Sequence, residues 1–103
     1  LDGISRFITV PTSSTWALDI LVTARAATGS SAVYQIRSSI RNDAGVTTLF
    51  GTPALTIIGE DVPAWDVTVS ANDTNDSLVL TATGDADQTI RWVATVRSVE
   101  VSF

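Results

Sequence analysis

Apolar and polar residues alternate with a period of two along most of this chain. Trp16, Leu18, Ile20, Val22 and Ala24 share one parity, with Asp19, Thr23 and Arg25 on the other, the pattern of a strand buried on one face. Tyr34, Ile36 and Ile40 alternate in the same way with Gln35, Arg37 and Arg41, as do Trp65, Val67, Val69 and Ala71 with Asp66, Thr68, Ser70 and Asn72. Shorter runs from Ile4 to Val10, Val46 to Phe50 and Leu78 to Ala82 read as further strands. Leu55 to Ile58 follows Pro53, which cannot donate to a ladder, so that segment is expected at an edge or as a short separate strand. Loops are expected at Pro11 to Ser14, Thr28 to Ser31, Asn42 to Gly45, Gly59 to Pro63, Asp73 to Asp76 and Gly84 to Asp87, with Gly45 left-handed to close a short hairpin. Helical periodicity is weak and no internal repeat appears. About seven strands at spacings near a dozen residues predict an all-β fold, an antiparallel β-sandwich or jelly-roll-like domain, over residues 1–103.

The final run breaks the pattern. Ile90, Trp92, Ala94 and Val96 share one parity, whereas Val99, Val101 and Phe103 share that of Arg91 and Arg97. Side chains alternate between the faces of a strand, so an apolar set that changes parity needs a bulge or a second burial surface. A hinge is expected at Arg97-Ser98. The first half would complete the core and the second half would be buried against another subunit.

Composition narrows the chemistry. With neither Cys nor His, the chain has no disulfide, no thiolate ligand or nucleophile, and no serine-histidine couple. Eleven acids stand against six basic residues, all Arg, for a net charge of −5. An acidic chain without a basic run is poorly suited to the phosphate backbone, so nucleic acid is not an expected partner. No stretch approaches the ~20 apolar residues needed to span a bilayer as a helix, and no signal pattern opens the chain, so membrane insertion is not expected. The start at Leu1 and the lack of Met suggest a segment of a longer protein.

The acids gather in turns, at Glu60 and Asp61, Asp73 and Asp76, and Asp85 and Asp87. Paired carboxylates across a groove could serve glycoside hydrolysis, but Asp is favoured in turns because it bonds nearby backbone amides, and that reading is preferred. Asp73, Asp76, Asp85 and Asp87, together with Asn75, are weaker candidates for calcium, because they offer oxygen ligands on two loops flanking one strand. No other metal site, catalytic residue or cofactor is expected. Arg25, Arg37, Arg41, Arg91 and Arg97 lie opposite the apolar parity and should project from outer faces, either as solvated surface or toward an interface or a glycan. Trp16, Trp65, Trp92 and Tyr34 are in phase with the core, which outweighs a sugar-stacking role.

Trp65-Asp66-Val67-Thr68-Val69, Asn75-Asp76-Ser77-Leu78, Gly84, Ile90-Arg91-Trp92-Val93-Ala94 and Val99-Glu100-Val101 together resemble the distal C-terminal module of a bacteriophage tail fibre or tailspike. The resemblance covers about residues 32 to 103. It implies a non-enzymatic homotrimeric tip, located in the virion tail and hence extracellular, that recognises a host bacterial surface glycan or protein or holds the trimer together. It carries over no catalytic or ligand residue. Arg97, Val99, Val101 and Phe103 are the intersubunit candidates. A trimerisation or folding cap of the fibre, and a monomeric carbohydrate-binding module of a secreted enzyme, are the alternatives.

Overall fold

A computed structural model describes residues 3–85 and 87–103, with side chains from residue 7 onward. Eight strands follow in order: β1 (Gly3–Thr9), β2 (Ser14–Ala26), β3 (Ser31–Asp43), β4 (Val46–Leu49), β5 (Ala54–Glu60), β6 (Asp66–Asn72), β7 (Ser77–Thr83) and β8 (Ile90–Ser102). They form an antiparallel β-sandwich. The smaller sheet has the order β1-β7-β6, and the larger runs β4-β3-β2-β8, with β5 also pairing with β3. Eight strands replace the expected seven or so because Ala54–Glu60 is a strand of its own, an edge strand as the proline suggested.

The two-residue period places the core. Every even position of β2 from Ser14 to Ala26 is buried. Those residues meet Tyr34, Ile36 and Ile40 of β3 on one side and, across the sandwich, Val67 of β6 with Leu78, Leu80 and Ala82 of β7 in a single apolar cluster. Full burial of such side chains is worth about 1.5–3 kcal/mol each relative to leaving them exposed. Trp65, just ahead of β6, is 1 % exposed, and its ring meets that of Trp92 at 6.0 Å, tilted by 53°. Trp16 is buried as expected, while Trp92, near the sandwich edge, is half-buried.

The turns follow the expected chemistry. Ala44 and Gly45 take φ of 51° and 89°, a two-residue hairpin loop closed by Gly45 N–H donating to the Asn42 side-chain oxygen at 3.0 Å. Asp73 and Asp76, in the β6–β7 turn, reach to the other sheet. The Asp73 carboxylate accepts from the Thr47 backbone N–H at 2.7 Å, and Asp76 accepts from the Thr47 hydroxyl at 2.9 Å. Asn42, buried, donates to the Val10 carbonyl at 2.9 Å, and Val10 N–H donates to the Asp76 carbonyl at 2.8 Å. These bonds tie the two sheets together at one end of the sandwich. In the expected turn at Gly84 to Asp87, Ala86 lies outside the described residues.

One expected loop is partly strand. Gly59 and Glu60 belong to β5, displaced by a register shift opposite Val33/Tyr34. Glu60 is kept on the sheet by the Tyr34 hydroxyl, which donates to its carboxylate at 2.6 Å. Burial, then the hydrogen bond to Glu60, then the negative charges of Glu60 and Asp66, push the Tyr34 phenol well above its ordinary pKa of 10.0. The folded state therefore favours the protonated phenol. The resulting stability is complete below pH 10.0 and is lost as pH rises past the unfolded chain's value toward the folded one. Tyr34→Phe should cost about 1 kcal/mol at neutral pH through the lost hydrogen bond, yet flatten the loss of stability in alkali. Urea unfolding of both proteins at about pH 8 and about pH 11 checks this, and parallel declines would refute it.

Candidate binding face

Strand β8 pairs with β2 without interruption, from Ser14↔Ser102 to Ala26↔Ile90. There is no bulge and no hinge at Arg97-Ser98, contrary to the sequence expectation: Asp19↔Arg97, Leu18↔Ser98 and Ala17↔Val99 continue one register. The change of parity follows the surroundings of the strand and not a break in it. The inward side of β8 is covered at Ile90, Trp92, Ala94 and Val96, but beyond Val96 the inward positions Ser98, Glu100 and Ser102 are exposed and polar. Ser98 donates to the Glu100 carboxylate at 2.6 Å, and Ser102 shares a 2.8 Å hydrogen bond with Ser14. The core ends, the inward face turns hydrophilic, and the apolar residues move to the outward face.

On that outward face Val93, Val99 and Val101 are 67 %, 73 % and 59 % exposed, and Phe103 is fully so. Within the larger sheet β8 is an edge strand, so among the described residues it also presents a 13-residue unpaired backbone edge. Val99 stands beside Ala17 and Ser39, and Val101 beside Thr15 and Arg41, small or polar neighbours that leave the valines uncovered.

The five arginines expected on outer faces are all exposed, and register puts them on one face of the one larger sheet. Arg37, Asp19 and Arg97 form a single rung across β3, β2 and β8. Strand spacing puts the two arginines roughly 10 Å apart at their backbones, with Asp19 between them. Arg25 and Arg91 form another rung, roughly 20 Å along the strands. Asp19 accepts from the Gln35 side-chain amide at 3.1 Å. Of the five, only Arg41 is in an ion pair among the described residues, with Asp43 at 3.8 Å, and its guanidinium also lies over the Phe50 ring at 5.4 Å. A shallow depression opens at the central rung between Arg37, Asp19, Arg97, Ala17 and Val99, and a second adjoins it between Leu21, Gln35 and Thr95.

The four calcium candidates do not converge. Asp73 and Asp76 lie at one end of β7 and Asp85 and Asp87 beyond the other, about 20 Å apart by strand rise. Asp73 and Asp76 are engaged by Thr47, and Asp85 accepts from Gln88 at 3.5 Å. Among the described residues no group of three acids is placed to hold a metal ion. Each depression named above, and a third beside Val67 and Leu55, has a single carboxylate, Asp19 or Asp66, in place of the facing pair that glycoside hydrolysis uses. No helix among the described residues is long and apolar enough to cross a membrane.

Sequence reasoning had the parity of the arginines and of Val99, Val101 and Phe103 but not the Arg37-Asp19-Arg97 rung. Parity tells which face a residue takes; strand order, which decides that β2 lies between β3 and β8, leaves no mark in the alternation. Comparison with protein-family models finds no match, and comparison with curated proteins finds none.

Proposed function

We propose that the chain is a non-enzymatic distal module of a phage tail fibre or tailspike, a homotrimer that engages the host bacterial surface through a glycan during adsorption. The observation that carries this reading is the apolar outward end of β8. Val99 and Val101 on the edge strand, and Phe103 just past it, sit uncovered beyond the point where the protomer's own core ends. A surface of that kind is an aggregation hazard in a monomer and a contact in an assembly. In a closed ring it would meet its copies near the threefold axis, with Arg97 at the margin of the contact. Three copies facing one way would also raise the effective concentration for repeated surface epitopes.

Light scattering on the chain, together with adsorption of the labelled chain to intact bacterial cells and purified surface polysaccharide, tests the reading. A particle three times the 10.9 kDa protomer mass that adsorbs is the expected result. A trimer that adsorbs to nothing would leave a folding cap of the fibre. A monomer that binds sugar would favour a carbohydrate-binding module of a secreted enzyme.

A further inference from the structure

The geometry points to a subsite for carboxylated sugars on the outward face of the larger sheet, centred on Arg37, Asp19 and Arg97. It deepens the surface-recognition reading above and rests on it. Five of the chain's six arginines lie on this face, with Asp19 and Asp43 as the strand acids beside them, so the face is positive on a chain of net charge −5. Asp43 is taken by Arg41. The side chains of Arg37 and Arg97 have no hydrogen bond or ion pair among the described residues, and both line the central depression. Guanidinium groups carried on a sheet and in no ion pair with a protein carboxylate match a planar ligand carboxylate, which they can grip with two parallel hydrogen bonds.

Asp19 decides between kinds of anion. A half-buried carboxylate in the middle of the rung repels a dense row of phosphates, such as a nucleic-acid backbone. The same carboxylate accepts hydrogen bonds from sugar hydroxyls, and Gln35, already bonded to it, adds a further amide donor. Leu21, 48 % exposed in the adjoining depression, offers an apolar surface for the C–H face of a ring. Hydroxyls and a spaced negative charge on one ligand describe a uronic or other acidic sugar. The second rung, Arg25 and Arg91, would take a further carboxylate about 20 Å along an extended chain. Within the trimer the subsite borders the apolar contact, because Ala17 and Val99 form one wall of its depression.

Equilibrium binding of fluorescent oligogalacturonate to the full chain, competed with neutral dextran and with duplex DNA, tests this. Binding should weaken as salt rises and should not be competed by dextran. Arg37→Gln should weaken it by about tenfold or more, with Arg37→Lys intermediate because charge without the planar fork keeps part of the interaction. Asp19→Asn should also weaken it. Thermal melting of each variant shows whether the fold is intact, and Arg97→Gln repeats the test from the far side of the rung. Tighter binding by Asp19→Asn, or preference for DNA, would overturn the inference in favour of a phosphate ligand. Equal competition by dextran, or no effect of either arginine variant, would also overturn it. A chain that adheres to bacteria without binding oligogalacturonate refutes this subsite and leaves the adsorption reading standing; a chain that does neither refutes both.

Discussion

Trp65→Ala is expected to unfold a large fraction of this protein. The side chain is 1 % exposed, it heads the fully buried residues by size, and its ring is tilted against Trp92 at 6.0 Å. Truncating a buried Trp costs about 3–5 kcal/mol through lost transfer energy and the cavity left behind. A domain of this length has a total of roughly 5–15 kcal/mol to lose. The cavity would open against Trp92, which is packed from only part of its surface, so β8 loses support on its covered half. A drop in melting temperature of roughly 15 °C or more is the expected reading, with wild type and variant at equal concentration because assembly also shifts the midpoint. Trp65→Phe should be milder, since the Trp65 indole N–H is buried without a protein partner and its removal sacrifices no hydrogen bond. If Trp65→Ala melted within a few degrees of wild type, the core would not depend on this contact between Trp65 and the edge strand.

The alternation of side chains made most of this architecture legible. A strand buried on one face must repeat every second residue, so Trp16 to Ala24 and Trp65 to Ala71 declared both their conformation and their inward face. Pro53 marked the edge position of β5, and Gly45 the hairpin, because each imposes a backbone constraint that few contexts satisfy. Glu60 was hidden for the opposite reason. A Gly-Glu-Asp sequence favours a loop locally, and Glu60 is held on the sheet by pairing with Ala32 and by the bond from Tyr34, both distant in sequence. Asp73 and Asp85 were grouped because they flank the same strand in sequence, but a strand separates its two ends as surely as it connects them.

The candidate site was legible to a smaller extent for a similar reason. Parity put Arg37, Arg97 and Asp19 on outward faces but could not say that they share a rung, since that depends on the pairing of three strands, with Asp19 meeting Arg97 far away in sequence. The parity change in β8 was a real signal, but the hinge expected at Arg97-Ser98 is absent. A change of apolar face can come from the strand, through a bulge, or from its surroundings, through the loss of cover on one side. Here the strand runs straight and the cover ends near Val96, which leaves the apolar outward face of Val99 to Phe103 without an explanation inside the protomer.

That missing explanation makes Val101→Asp the sharpest test of assembly. In the isolated protomer the change should be nearly silent. Val101 is 59 % exposed, its cross-strand neighbour is Thr15, and Arg41 lies on the same rung to receive the new charge; the loss of strand propensity is at most about 1 kcal/mol. In a trimer the same carboxylate would be repeated three times around the axis and removed from water. A buried unpaired charge costs several kcal/mol before the mutual repulsion of the three copies is counted. Each subunit would also forfeit about 1.5–3 kcal/mol from the buried valine. The variant should therefore run as a folded 10.9 kDa monomer at concentrations where the wild-type chain is three times that mass, with a far-ultraviolet spectrum unchanged. Val93→Asp, at the other end of the same strand face, should leave the trimer in place, because the proposed contact is confined to the stretch beyond Val96. Trimers in all three proteins, or monomers in all three, would break the link between the uncovered end of β8 and assembly.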